Sequence, residues 1–564
     1  MLTSFLQQQS SANGKARSFA LLNTVELKNL IPPTVSYESR GNLLIVGAQQ
    51  EVEAVFSHFD AMNSVTALMV DAETHTSAVI PSTQCFFSQQ VTISGFLGHF
   101  EVRIVRSGVS HNLARAVTGE DHFDVVLDLT PDGIMTEEVP VPGYYPSGRG
   151  YPTLDESLEA IPELIGTFDK PKFFRLNTEL CAHSSRGVKG CTRCIDACPA
   201  GALTSQGSEK TGHKIEINPY LCQGVGTCAT SCPTEAISYA LPEPKETQTF
   251  IERVLAKYFA EGGETPIVMF CSERHEKYNL MMLGMLPDNV IPITLDELPS
   301  VGIDTWFSAL VHGACQVMFA ASRHMPATII RVLETEVAIA QTLLTQLGLE
   351  KQRIDLMYME DLRHSAPTLI QQPLAITASN IQSGMKRDRL FNALDLLAEH
   401  YAPDTNLVTN NIAQVPEGAP FGKVNCDADN CTLCMSCVSV CPTRALHAKG
   451  DSPALLFTEQ DCVQCGLCES ACPEKVISLE PRFTWDKQQR TQDMTLHQEP
   501  AAHCLSCGKP FAPASMIEML QNKLRGHSHF ANEDKLRRIA MCEDCRVRDL
   551  FSDLTANPAK QLDI

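Results

Sequence analysis

Positive charge is scarce in this 564-residue chain: 45 lysines and arginines face 66 aspartates and glutamates, a formal net charge of -21. That balance argues against a nucleic acid as main partner and suits docking on basic patches of redox proteins. Long apolar runs are missing too. No stretch approaches the roughly twenty apolar residues needed to span a bilayer, so no membrane span is expected. The opening MLTSFLQQQSSANGKARSFALLN lacks the apolar core of a secretory signal and has no twin arginine, which makes the expected location cytoplasmic. Catalytic fingerprints are absent as well. There is no G-x-x-x-x-G-K-[ST] loop, no G-x-S-x-G elbow and no H-E-x-x-H helix. The strand-turn Ile45-Val46-Gly47 lacks the glycine series that a pyrophosphate needs.

What the chain has in quantity is cysteine. Of its 23 cysteines, only Cys85, Cys271, Cys315 and Cys426 stand outside metal-type spacings. In a reducing compartment such spacing reads as metal or redox chemistry before disulfides. Near the end of the chain, Cys431-x2-Cys434-x2-Cys437-x3-Cys441-Pro442 is followed by Cys462-x2-Cys465-x2-Cys468-x3-Cys472-Pro473. A [4Fe-4S] cubane requires four thiolates, and in paired runs the fourth comes from the other run. One cluster is therefore expected on Cys431, Cys434, Cys437 and Cys472, and a second on Cys462, Cys465, Cys468 and Cys441. Structural zinc or disulfides have no use for this duplicated, crossed pattern. The two runs together resemble a dicluster ferredoxin module.

An earlier pair, between residues 181 and 233, repeats the theme irregularly. The first run is Cys191-x2-Cys194-x3-Cys198-Pro199, with Val188 where the leading cysteine is expected and Cys181 ten residues ahead of Cys191. Ferredoxin-like relatives tolerate an enlarged first loop, which makes Cys181, Cys191, Cys194 and Cys232 the preferred set for one [4Fe-4S] cluster; the alternative is that Cys181 is a spare buried thiol. The second run reads Cys222-x2-Val225-x2-Cys228-x3-Cys232-Pro233, so one thiolate is missing. Cys198, Cys222 and Cys228 remain. This resembles ferredoxins with one three-iron and one four-iron cluster, which implies a [3Fe-4S] or incomplete [4Fe-4S] cluster there. The open alternatives are a fourth iron held by His183, a remote side chain or water, or no cluster at all. Gly224-x-Gly226 belongs to wrapping of the cluster, not to a dinucleotide site.

The fold class expected is multidomain, α/β with α+β: two dicluster ferredoxin-like modules, two small α/β domains and a C-terminal helical zinc-knuckle segment. The boundaries read as an N-terminal α/β domain (1–165), the first dicluster module (166–246), a second α/β domain (247–365), a helical linker (366–415), the second dicluster module (416–482) and the knuckle segment (483–564). Strands are expected at Leu43–Gly47, Thr66–Val70, Val91–Phe100, Glu101–Val105 and Val125–Leu129, with helices at Glu51–Met62 and Leu154–Phe168. In the second α/β domain the strands are Pro266–Phe270, Val290–Ile293, Cys315–Ala320 and Ile354–Met357, and the helices Thr305–Gly313 and Met325–Leu347, a doubly wound rhythm. This domain resembles the delta subunit of methyl-viologen-reducing hydrogenase through Val268 to Cys271, Leu286-Pro287 and Ala309-Leu310-Val311-His312-Gly313-Ala314. Of that family's metal-type cysteines only Cys271 and Cys315 remain, so a docking or scaffold role is implied. Cys271 with His275 reads more simply as core packing.

The last metal signal is Cys504-x2-Cys507-Gly508 with Cys542-x2-Cys545, separated by two expected helices, Ala514–Arg525 and Glu533–Ala540. Four thiolates from two knuckles suit tetrahedral zinc; a further iron-sulfur centre or a rubredoxin-like iron is the alternative. His503, His527 and His529 read as solvent-facing and are not assigned as ligands. The full cofactor expectation is three [4Fe-4S] clusters, one [3Fe-4S] or atypical [4Fe-4S] cluster, and zinc.

The domain order and the phrase KPKFFRLNTELCAHSSRGVKGCTRCIDACP, residues 170 to 199, resemble a proteobacterial family of large iron-sulfur cluster-binding proteins associated with formate dehydrogenase systems. The resemblance implies an electron-transfer protein or oxidoreductase subunit relaying single electrons between a cytoplasmic dehydrogenase, with formate dehydrogenase as partner, and an acceptor. An accessory factor in maturation of a formate dehydrogenase, and an oxidoreductase with an unrecognised site, are the other two readings.

Overall fold

Leu43, Leu44, Ile45 and Val46 all bury completely, as befits a parallel strand covered on both faces. In the computed structural model their strand, Asn42–Gly47, is the centre of a five-stranded parallel sheet. Its neighbours are Ser64–Met69 and then Cys85–Phe87 on one side, and Val125–Asp128 and then Tyr144–Tyr145 on the other. Val52, Val55 and Phe59 fill one face. The other is packed by Ile93, Val102 and Ile104 of a three-stranded antiparallel sheet, Val91–Ser94, Glu101–Arg106 and Val109–Asn112. The structure describes the chain apart from residues 1–4, 7–8, 26–32, 72–78, 151, 184–189, 209, 375, 377, 379–380, 402–410, 451, 531, 557 and 559–564. Val188 lies outside the described residues.

One expected helix is cut short. Leu154–Phe168 becomes the helix Leu154–Ala160, started by a capping box between Thr153 and Glu156, and one tighter turn, Ile161–Glu163. Pro162 cannot donate to a continuing ladder and Gly166 sits at φ +134°, so the chain turns into a strand instead. That strand, Gly166–Pro171, pairs antiparallel with Thr34–Ser39. The expected strand Val91–Phe100 likewise stops at Ser94, before Gly95 at φ +121°.

The second sheet is four-stranded and parallel, in the order Val290–Leu295, Ile267–Ser272, Gln316–Ala321, Ile354–Tyr358. That is a doubly wound order with cover on both faces. Trp306, Phe307 and Leu310 of the helix Ile303–Val311 fill one side, and Met282 and Leu283 of Glu276–Leu283 the other. The helix Ala12–Leu22 precedes the first sheet in sequence but packs here: its buried Arg17 donates to Val290 O at 3.0 Å and pairs with Asp288 at 3.2 Å. Cys315 leads into its strand beside residue 266 of the neighbouring strand, which Cys271 nearly ends. Five residues of strand separate them, roughly 16 Å at 3.3 Å per residue. Both thiols are buried and pushed up by burial, to about 12 and about 11 respectively for Cys271 and Cys315. They are core side chains and do not converge on a metal.

The segment 366–415, expected to be a helical linker, is helical over Lys386–Tyr401. This helix is a joint. Its Arg389, 4% exposed, pairs with Glu235 at 2.7 Å and with Asp304 at 3.0 Å, tying the first cysteine module to the second sheet. No helix among the described residues is long and apolar enough to cross a membrane. Removing one partner of a buried ion pair leaves a charge without compensation, which costs about 3 kcal/mol or more. Arg389→Ala is therefore expected to lose stability on that order in anaerobic urea denaturation, and Arg389→Lys to recover part of it.

Candidate iron-sulfur and metal centres

Each cysteine run closes on a short helix carrying the cysteine that stands four residues before its Cys-Pro cysteine. These are Arg193–Asp196 with Cys194, Thr227–Ser231 with Cys228, Ser436–Val440 with Cys437, and Leu467–Ser470 with Cys468. Ahead of three of these helices the backbone turns left-handed four and two residues before the cysteine: Gly224 and Gly226, Leu433 and Met435, Gln464 and Gly466. Three residues after each Cys-Pro cysteine it does so again, at Gly201, Glu235, Arg444 and Lys475. For residues with a Cβ this conformation costs about 1–2 kcal/mol each. Alternating hands turn successive N–H groups inward into a concavity that receives anions. Accordingly, the backbone N–H groups of Gly224, Leu433, Gln464 and Leu467 lower the proton affinity of the Cys222, Cys431, Cys462 and Cys465 thiols, and Gln464 Nε2 donates to Cys462 Sγ at 3.3 Å. Anionic sulfur ligands fit this donor set.

The second module encloses two separate hollows. One is lined by Cys431, Cys434, Cys437 and Cys472. The other is lined by Cys441, Cys462, Cys465 and Cys468. Burial pushes Cys437 and Cys465 each up to about 12, and the neighbouring thiols push the same way. Thiols so disfavoured as anions call for a cationic partner. Sequence reasoning left Cys426 unassigned; it ends the strand Gly422–Cys426, and its thiol contacts that of Cys431. Its position five residues before a ligand-type cysteine was the available signal.

In the first module the cysteines also form two groups. Burial first, then the thiols of Cys232, Cys191 and Cys181, raise Cys194; burial, then Cys198 and Cys222, raise Cys228. Cys181 is thus beside Cys191, Cys194 and Cys232, across the segment 184–189. His183, considered above for the incomplete group, sits with the other one: its Nδ1 meets Cys191 O at 2.9 Å and its Nε2 meets Ser205 Oγ at 2.7 Å. Val225 stands between left-handed Gly224 and Gly226, so the loop keeps its wrapping conformation without the thiol. Its side chain joins the apolar core shared with the second sheet.

The four groups follow one another as neighbours. Cys228 is within electrostatic reach of Cys194 and Cys232, Cys465 of Cys191, and Cys468 of Cys437. Between the modules, a Cβ on Gly190 would stand 3.0 Å from Leu467 Cδ2. The ends of the series are accessible: Cys434 is exposed, and a cleft of about 300 Å³ lined by Phe173, Phe174 and Cys222 opens at the other end.

Residues 189–236 match the family of 4Fe-4S dicluster domains, and residues 430–477 match a second family of the same description. No curated protein matches the chain. The protein binds iron-sulfur clusters through two 4Fe-4S dicluster domains, and its role is electron transfer. The first match begins after Cys181.

At the C-terminal end, the ribbon Ala501–His503 with Pro510–Pro513 presents Cys504 and Cys507, and the helix Glu543–Ala556 starts beside Cys542 and carries Cys545. The four sulfurs lie within 4.8 Å of one another, and Cys507 and Cys542 are 3.8 Å apart. Tetrahedral zinc with bonds of about 2.3 Å places its sulfurs about 3.8 Å apart, so the residues fit it. Against the upward push of burial, N–H groups of Cys542, Cys507 and Ser506 draw Cys504 down to about 6. Cys542→Ser is expected to remove one zinc per chain in elemental analysis and to leave the iron content unchanged.

Proposed function

We propose that this chain relays single electrons along four iron-sulfur clusters between a cytoplasmic dehydrogenase, with formate dehydrogenase as donor, and an acceptor protein. The observation that carries the reading is the series of four neighbouring cysteine groups with one accessible end in each dicluster domain. When bound, each cluster takes up and returns one electron within a potential range set by its surroundings. Cys431, Cys434, Cys437 and Cys472 would hold one cubane, Cys441, Cys462, Cys465 and Cys468 the next, and Cys181, Cys191, Cys194 and Cys232 the third. Cys198, Cys222 and Cys228 would hold a three-iron cluster. One feature supports the last assignment: the loop around Val225 retains the wrapping turns although a thiol is missing from it. The α/β domains supply cover for the clusters, and the second sheet carries no metal set of its own.

The test is anaerobic purification followed by iron, sulfide and zinc analysis and EPR. About fifteen irons and one zinc per chain are expected, with a three-iron signal in the oxidised protein and interacting cubanes after dithionite. Eight irons or fewer would contradict the relay. Val225→Cys is expected to add about one iron per chain and to abolish the three-iron signal.

A further inference from the structure

Lys386 and Arg387, adjacent in sequence, each reach a different dicluster domain. Lys386 Nζ donates to Ala229 O at 2.9 Å, Thr230 O at 2.6 Å and Cys232 O at 3.1 Å, all within the first domain. An ammonium has three donors and no acceptor, so these three carbonyls use it fully. Arg387 donates to Gln460 O at 2.5 Å, Pro420 O at 2.8 Å and Cys462 O at 2.7 Å in the second domain. Its guanidinium also lies over the rings of Phe391 and Phe421, at 4.8 and 5.3 Å. Cys232 and Cys462 belong to the two groups that face each other across the Gly190–Leu467 contact.

These cations break a local rule. They occupy the first turn of the helix Lys386–Tyr401, where the helix dipole favours anions. Local conflicts of this kind concentrate at functional sites. The same device recurs once more: Lys170 Nζ donates to Tyr220 O at 3.0 Å and Cys222 O at 2.8 Å, and stacks on the Tyr37 ring. Three of the four cysteine groups thus have a lysine or arginine on a cysteine carbonyl, two of them from the helix Lys386–Tyr401 and the third, Lys170, from the strand that leads into the first module. Of the charges facing the junction, Glu336 and Glu235 lie near Lys386, and Asp388, Asp461 and the cation Arg490, which shares the Phe391 ring, near Arg387. The carboxylates among these temper the cations without displacing them from the carbonyls.

We infer that Lys386 and Arg387 form an electrostatic junction that positions the two inner cluster sites against each other and favours their reduced forms. A positive charge at a cysteine backbone stabilises the extra electron a cluster gains on reduction, so each cation raises the potential of the site it touches. The two residues act as positioning residues, since neither reaches the sulfurs. Placing them on consecutive positions of one helix keeps the inner sites at a fixed separation whatever the rest of each domain does. The gap between domains is the step at which a relay built from two modules is weakest, because electron tunnelling falls off exponentially with distance.

The inference rests on the relay reading, and redox titration followed by EPR separates the two. Iron content and the four cluster signals are recorded first in the wild-type chain; too few clusters there overturns the relay itself. With the clusters present, Lys386→Met is expected to lower the potential of the Cys191-side site alone, and Arg387→Met that of the Cys465-side site alone. The expected size is about tenfold in the reduced-to-oxidised ratio at fixed poise, about 59 mV for one electron. Lys386→Arg and Arg387→Lys, which keep the charge, are expected to keep the potentials. Unmoved potentials in the Met variants, equal shifts at all sites, or shifts as large in the charge-keeping variants overturn the junction. If a Met variant loses iron, Arg387→Lys decides alone: it is expected to retain the potential and weaken spin coupling between the inner sites, and unchanged coupling overturns the proposal.

Discussion

Everything in this molecule is arranged around thiols that must stand close together away from water. Burial raises the proton affinity of most of them, as at Cys194, Cys437 and Cys465, and neighbouring thiols raise it further there, so thiolates gathered this way call for the positive charge of iron or zinc. The protein prepares for that charge with backbone alone. Left-handed turns at Leu433, Met435 and Gln464 are tolerated because they aim N–H groups at sulfur, and the same turns recur in the run that has lost a cysteine. Assembly of the clusters and folding of the modules are consequently one process.

The α/β domains answer the second half of the requirement, which is to keep two small modules in register. Neither dicluster domain has much apolar core beyond its cysteines and a few aliphatic side chains. The second sheet provides one, and Val225 and Phe421 from the modules join it together with Phe483 and Trp485 just past the second module. The helix Lys386–Tyr401 gathers the three partners: Lys386 and Arg389 hold the first module, Arg387 holds the second, and Arg389 reaches Asp304 beneath the second sheet. A chain that has separate modules in sequence is a continuous object where electrons would pass.

Much of this was legible in the sequence, for a physical reason. Cluster ligation is set by short spacings, so the sequence alone groups Cys431 to Cys472 into two sets, the same sets that line the two hollows of the second module. Hydrophobic runs such as Leu43 to Val46 announced the parallel sheets. What escaped was non-local. Nothing near Arg17 indicates that its helix packs on a sheet built from residues 267 to 358, and Lys386 and Arg387 read as ordinary surface charges until their carbonyl partners are known. The helix expected at Leu154–Phe168 failed because Pro162 and Gly166 outweighed an apolar periodicity that continues through them. The order of the cysteine groups along the series depends on a contact between Gly190 and Leu467, which lie far apart in the chain.

The most direct test of the central claim is freeze-quench EPR after mixing the oxidised protein with less than one equivalent of a fast reductant, at several protein concentrations. If the two dicluster domains form one series, electrons redistribute between the cluster signals of both domains at a rate independent of protein concentration. If signals of one domain fill first and the others follow only at a rate proportional to concentration, electrons pass between molecules and the account of a single relay is wrong.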